Sequence, residues 1–90
     1  MPTKHLLIKG KVQGVYYRAT AKEVADTIGL TGWIRNTEEG GVEAVVTGAQ
    51  YQLDDFLAWC RQGPSGAVVT GLEAKEMDEE RFENFRIIRG

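Results

Sequence analysis

The run Gly10-Lys11-Val12-Gln13-Gly14-Val15-Tyr16-Tyr17-Arg18 decides how this chain folds. An apolar β-type segment empties into it, a glycine-containing loop follows, and a helix is predicted from Arg18 onward. The first N–H groups of a helix have no partner inside it, so a loop of backbone donors leading into a helix start can receive an anion. Gly14 reaches backbone angles closed to other residues, which lets neighbouring N–H groups converge. Arginine adds a planar fork of donors that matches phosphate oxygens two at a time. A cation in the first helical turn is unfavourable toward the helix dipole, so Arg18 in that position points to an anionic partner. The residues alone therefore predict a site for a small phosphate-bearing molecule.

On the N-terminal side, Leu6, Ile8 and Val12 alternate with Leu7, Lys9 and Lys11, which predicts a strand over Leu6–Val12 with one buried face. On the C-terminal side the period changes. Ala21, Val24, Ala25 and Ile28 fall at i, i+3, i+4 and i+7, one apolar helical stripe within Arg18–Ile28, and Gly29 suits the left-handed close of that helix. Leu30–Arg35 reads as a second strand, Asn36-Thr37-Glu38-Glu39-Gly40-Gly41 supplies turn chemistry, and Val42–Thr47 is a third strand with Val42, Ala44 and Val46 on one face. So short a loop implies an antiparallel hairpin. Leu53, Phe56, Leu57 and Cys60 form a second helical stripe, stopped by Gly63-Pro64. A fourth strand is expected within Ala67–Glu76, a solvated loop over Met77–Arg81, and a strand-like end over Phe82–Ile88 in which Phe85 and Ile87 alternate. This order, βαββαβ with a short terminal strand, predicts a ferredoxin-like α+β sandwich. It is an antiparallel sheet with two helices on one face, in a single domain over residues 1–90.

Asn36 is the second candidate. It ends strand two, and a crossover connection places strands one and two side by side or one apart. A carboxamide is neutral and offers both donor and acceptor, so it can hold a water in one orientation; its commoner use at a strand end is in a turn. Gln13 either touches a ligand or holds the loop through backbone bonds.

Composition narrows the alternatives. A net charge of −2 and a pI near 5.4 argue against broad nucleic-acid binding. An RNA-recognition reading would need exposed aromatics in strand three, where Val42-Glu43-Ala44-Val45-Val46-Thr47 has none. No apolar stretch nears the ~20 residues of a membrane span. Met1–His5 enters a strand without a signal-cleavage pattern, so a cytoplasmic protein is expected. The single cysteine, Cys60, excludes an internal disulfide, and its place on the helical stripe makes it a small buried hydrophobe. No side chains have metal-ligand spacing, and no Walker-type phosphate loop is present. Trp33 and Trp59 are read as packing residues, His5 as a surface histidine, and Glu38-Glu39 and Asp54-Asp55 as solvated pairs.

Three stretches carry a family resemblance: Gly10-x-Val12-Gln13-Gly14-Val15-x-Tyr17-Arg18, then Gly29-Leu30-x-Gly32-Trp33-Ile34-x-Asn36, then Gly41-Val42-Glu43 with Gly48 after it. Over essentially its whole length the chain resembles the acylphosphatases, small ferredoxin-like enzymes that hydrolyse acyl phosphates to a carboxylate and inorganic phosphate. The resemblance implies that Arg18 and the backbone amides of Gly14, Val15, Tyr16 and Tyr17 bind phosphate, and that Asn36 orients the attacking water. No cofactor or metal is expected, the expected partners are an acyl phosphate and inorganic phosphate, and nothing in the sequence requires more than a monomer. Tyr17 stands where the family usually has phenylalanine. The family commonly ends in an aromatic, whereas this chain ends Ile87-Ile88-Arg89-Gly90, which leaves open how the C-terminus meets Arg18. The competing reading is a module that captures acyl or carbamoyl phosphate without turning it over.

Overall fold

A computed structural model describes residues 1–89. Its elements run β1 (Thr3–Lys11), α1 (Tyr17–Ile28), β2 (Thr31–Asn36), β3 (Val42–Thr47), α2 (Gln50–Gln62), β4 (Val68–Met77) and β5 (Phe85–Ile87). The strands form one sheet in the order β4-β1-β3-β2-β5. Strands β1 and β2 flank β3, so the crossover leaves them one apart. Both predicted helix stops are present. Gly29 and Gly63 take positive φ, and their N–H groups close on the carbonyls of Ala25 and Trp59. Among the described residues no helix is long and apolar enough to cross a membrane.

The predicted stripes make the core. Leu6 and Ile8 of β1, Ile34 of β2, and Val42, Ala44 and Val46 of β3 face Ala21 and Ala25 of α1 and Leu53, Phe56, Leu57 and Cys60 of α2. Phe85 of β5 joins them and meets Phe56 edge-on, with ring centroids 5.9 Å apart. Cys60 is buried as expected, and burial pushes its thiol up to about 12. Gly32 permits the tight β2–β3 approach: a Cβ there would stand 1.9 Å from the Val45 carbonyl oxygen, and its φ is +140°.

One expectation about the sheet needs correcting. The β1–β3, β1–β4 and β2–β3 pairs are antiparallel, but β5 pairs parallel with β2, so the sheet is mixed. The chain path explains this. Strand β4 ends at Met77, opposite Thr3, on the edge of the sheet where β1 and β2 begin. The following loop crosses that edge, held where the Glu80 N–H donates to Thr3 Oγ1 and the Thr47 hydroxyl donates to the Glu80 carbonyl. Strand β5 then starts beside Gly32 and must run in the direction of β2. It is also shorter than predicted. Strand β1 begins three residues before the expected Leu6, because Thr3 pairs with both Thr47 and Met77.

Candidate functional site

The loop between β1 and α1 takes its shape from two left-handed residues. Gly14 has φ +73°, and Tyr16, the N-cap of α1, has φ 62° and ψ 25°. The first α-type turn bond runs from the Thr20 N–H to the Tyr16 carbonyl. Among the described residues, no backbone carbonyl accepts from the N–H groups of Gly14 through Ala19, and no side chain caps the helix. A run of adjacent unpaired donors at a helix start is the arrangement that accepts an anion. No acidic residue lies in the first turn to neutralise it.

The two halves of the pair Tyr16-Tyr17 go opposite ways. Tyr17 is 1% exposed, and its hydroxyl donates to the Cys60 carbonyl at 2.7 Å. Its ring lies 5.2 Å from that of Trp59, which fulfils the packing role expected of that tryptophan. Burial, with Cys60 alongside, holds the Tyr17 hydroxyl well above its usual range, so it stays protonated. Tyr17 thus anchors the start of α1 to α2, while Tyr16 is 83% exposed.

Gln13 fastens this loop to the β2–β3 hairpin. Its Nε2 donates to the Thr37 carbonyl at 2.9 Å and to the Gly41 carbonyl at 2.8 Å, so it holds the loop through backbone bonds. Thr37 directly follows Asn36, so the tie sets the offset between the loop and that carboxamide. The hairpin turn is itself closed by Thr37 N–H to the Gly41 carbonyl and by Gly41 N–H to Thr37 Oγ1.

These constraints create a cleft of about 540 Å³ whose lining includes Gly14, Tyr16, Tyr17, Arg18, Asn36 and Arg89. A second lobe of about 300 Å³ shares Arg18, Asn36 and Arg89 with it and adds Arg35 and Ile88. Arg18 is half-buried and has no ion-pair partner among the described residues. Asn36 Oδ1 is buried and lacks a hydrogen-bond partner. An orphaned buried acceptor costs free energy and is rare unless something outside the protein meets it. Of the candidate residues, Gln13 and Val15 are absent from the cleft lining: Gln13 holds the hairpin, and Val15 packs on the core beside Gly66.

Two charged lining residues escaped the sequence reading. Arg89 is carried to the cleft by the parallel path of β5, and nothing near it in sequence signals this. Gly90 lies outside the described residues. Arg35 is tied to Glu43, with Nε 2.6 Å from Oε1, while His5 Nε2 lies 2.6 Å from Glu43 Oε2. His5 is therefore no free surface histidine, and with Arg35 it holds the Glu43 carboxyl below its ordinary range despite opposing burial. The signal available was the alternation itself, since residues 5, 35 and 43 fall on the open sheet face.

Comparison with known proteins gives one consistent result. The acylphosphatase family model matches residues 4–87. The acylphosphatase of Methylococcus capsulatus is 48% identical over 90 residues, spanning 99% of this chain and 98% of that one. The crystal structure of acylphosphatase from Bacillus subtilis superposes with a TM-score of 0.95 at 29% identity, covering 99% of this chain and all of that one. An acylphosphatase structure from Coxiella burnetii gives 0.93 at 32% identity, covering 97% and 92%.

Proposed function

The chain belongs to the acylphosphatase family and is an enzyme that hydrolyses the carboxyl–phosphate bond of acyl phosphates, and from that premise we propose how its residues divide the work. Arg18 and the backbone amides of Gly14, Val15, Tyr16 and Tyr17 hold the phosphoryl oxygens, and Asn36 holds the attacking water. Supporting this most directly is the meeting of Arg18, the unpaired N–H groups at the start of α1 and the orphaned Asn36 Oδ1 in one cleft.

The chemistry asks little more. Phosphoryl transfer depends on positioning and charge stabilisation rather than covalent help. Water attacks phosphorus as the bond to the acyl oxygen breaks, and the bonding pair leaves on the carboxylate. That carboxylate is a weak base and departs without a proton. The proton lost by water passes to a phosphoryl oxygen of the substrate, so no side chain acts as base. Asn36 Oδ1 accepts a hydrogen bond from the water and so turns the water's lone pair toward phosphorus. Arg18 and the amides meet the charge that shifts onto the equatorial oxygens. The same reading makes residues 1–90 a single-domain cytoplasmic monomer that works without metal or cofactor, and the acidic pI argues against a nucleic-acid partner.

The test is continuous hydrolysis of benzoyl phosphate by the wild type, Arg18→Ala and Asn36→Ala, each checked for folding. Loss of one donor aimed at developing charge costs ~10²–10³ in turnover. Arg18→Ala is expected to raise KM and lower kcat together, whereas Asn36→Ala lowers kcat and leaves inhibition by inorganic phosphate nearly unchanged. Equal loss of phosphate affinity in both variants would contradict the division of roles. A wild type that binds phosphate without hydrolysis would make the chain a capture module.

A further inference from the structure

Tyr16 is the one non-glycine residue with positive φ among the described residues. Left-handed backbone is uncommon for any residue with a Cβ and a genuine outlier for a bulky one, so glycine or asparagine would hold this turn at lower cost. The tyrosine gains little packing in return, since its ring is 83% exposed. Ala19, three residues on, is too small to cover it. A costly backbone angle joined to an uncovered aromatic at a cleft mouth is explained when the ring has work to do on a bound molecule.

Direction then matters. In-line displacement sets the attacking water and the leaving oxygen on opposite sides of phosphorus. Asn36, Arg18 and Arg89 line both lobes of the cleft, and the smaller one adds Arg35 and Ile88. Tyr16 lines only the larger lobe. With water held at Asn36 on the side of the smaller lobe, the acyl oxygen points into the larger lobe, where Tyr16 stands.

We propose that Tyr16 determines acyl-group preference: its ring walls the leaving-group side of the cleft and favours aromatic and bulky apolar acyl groups over small ones. The inference rests on the roles given above to the loop and Asn36, and it names the substrate class that this particular chain selects.

The experiment compares kcat/KM for benzoyl phosphate with that for acetyl phosphate within each variant, so that general damage to the phosphate loop cancels in the ratio. Tyr16→Gly and Tyr16→Asn, both suited to the left-handed angle, are expected to lower the benzoyl-to-acetyl ratio about fivefold, the size of one aromatic contact. Tyr16→Phe is expected to keep the ratio within about twofold, since the face of the ring is what acts. Tyr51→Ala removes an aromatic that is 69% exposed on α2 away from the cleft, and is expected to leave the ratio unmoved. An unchanged ratio in both Tyr16→Gly and Tyr16→Asn, or a fall in Tyr16→Gly alone, overturns the proposal. Failure of the wild type to hydrolyse either substrate would instead sink the reading on which it rests.

Discussion

At the β3–α2 junction Gln52, the third residue of its helix, accepts the Ala49 N–H through Oε1 at 2.8 Å, whereas the third residue of α1 is Ala19, which has nothing to offer. The rest of each junction follows the same contrast. Ala49 caps α2 from ordinary extended backbone, Gly48 donates to the Pro2 carbonyl, and Gln52 Nε2 reaches the Ile28 carbonyl at the end of α1. A Cβ on Gly48 would stand 2.3 Å from Leu30, so that turn is tightly filled, while a Cβ on Gly14 would meet nothing within 4 Å. One strand-to-helix turn closes its loop N–H groups, Gly48 and Ala49, on the protein's own atoms and leaves open only the first-turn groups of Gln50, Tyr51 and Gln52. The other keeps its donors and its space. Helix starts carry orphan N–H groups everywhere and water can meet them, so what sets the α1 turn apart is that its loop donors are open as well and face a cleft a ligand can enter.

The strongest way to break this comparison is to seal the open turn. Ala19→Glu places at α1 the residue type that caps a helix from its third position, and adds a carboxylate where phosphate should sit. KM is expected to rise about ten- to a hundredfold, the size of a displaced charge-assisted hydrogen bond or two. Enzyme kinetics and phosphate inhibition check it, and an unchanged KM would mean the open donors do not face the ligand. Opening the sealed turn is the converse. Gln52→Ala leaves the Ala49 N–H and the Ile28 carbonyl without partners and is expected to cost about 1–3 kcal/mol in urea unfolding, with kcat/KM intact. Gly14→Ala sharpens the role of loop shape. With no clash to relieve, its cost is the left-handed strain of about 1 kcal/mol, read in the same unfolding curves, together with weaker phosphate inhibition.

The smallest effect concerns neither turn and serves as a control. Glu43 has its carboxyl held low, mainly by His5 and then by Arg35. A depressed native value stabilises the fold above the ordinary carboxylate range, and the gain is lost as pH falls through the native value. The stability difference between wild type and Glu43→Gln is therefore expected to shrink on going from neutral pH to below about pH 4, where the unperturbed carboxyl also protonates. Denaturant midpoints across that range measure it, and a difference that grew toward acid would contradict the sign.

Much of the fold could be read from periodicity. The alternation through Leu6 and Ile8, the stripes through Ala21 and Leu53, and the glycines at 29 and 63 each act within one turn or one strand, and each sits where the pattern put it. The loop before α1 announced itself in the same way, since Gly14 and Arg18 speak for their own backbone and charge. The misses are all long-range. The direction of β5, the arrival of Arg89 at the cleft and the His5–Glu43 contact, 38 residues apart, depend on how distant parts of the chain meet.

Local pattern, then, settled which residues make helices and strands and which faces they bury, because those outcomes depend on neighbours one to four positions away. Only the packed molecule decided the strand order, the parallel return of the C-terminus, the Gln13 tie that sets Asn36 beside the loop, and which of two adjacent tyrosines faces the core. Those depend on where the chain can cross and what space remains once the sheet and helices meet, and a one-dimensional pattern does not carry that information.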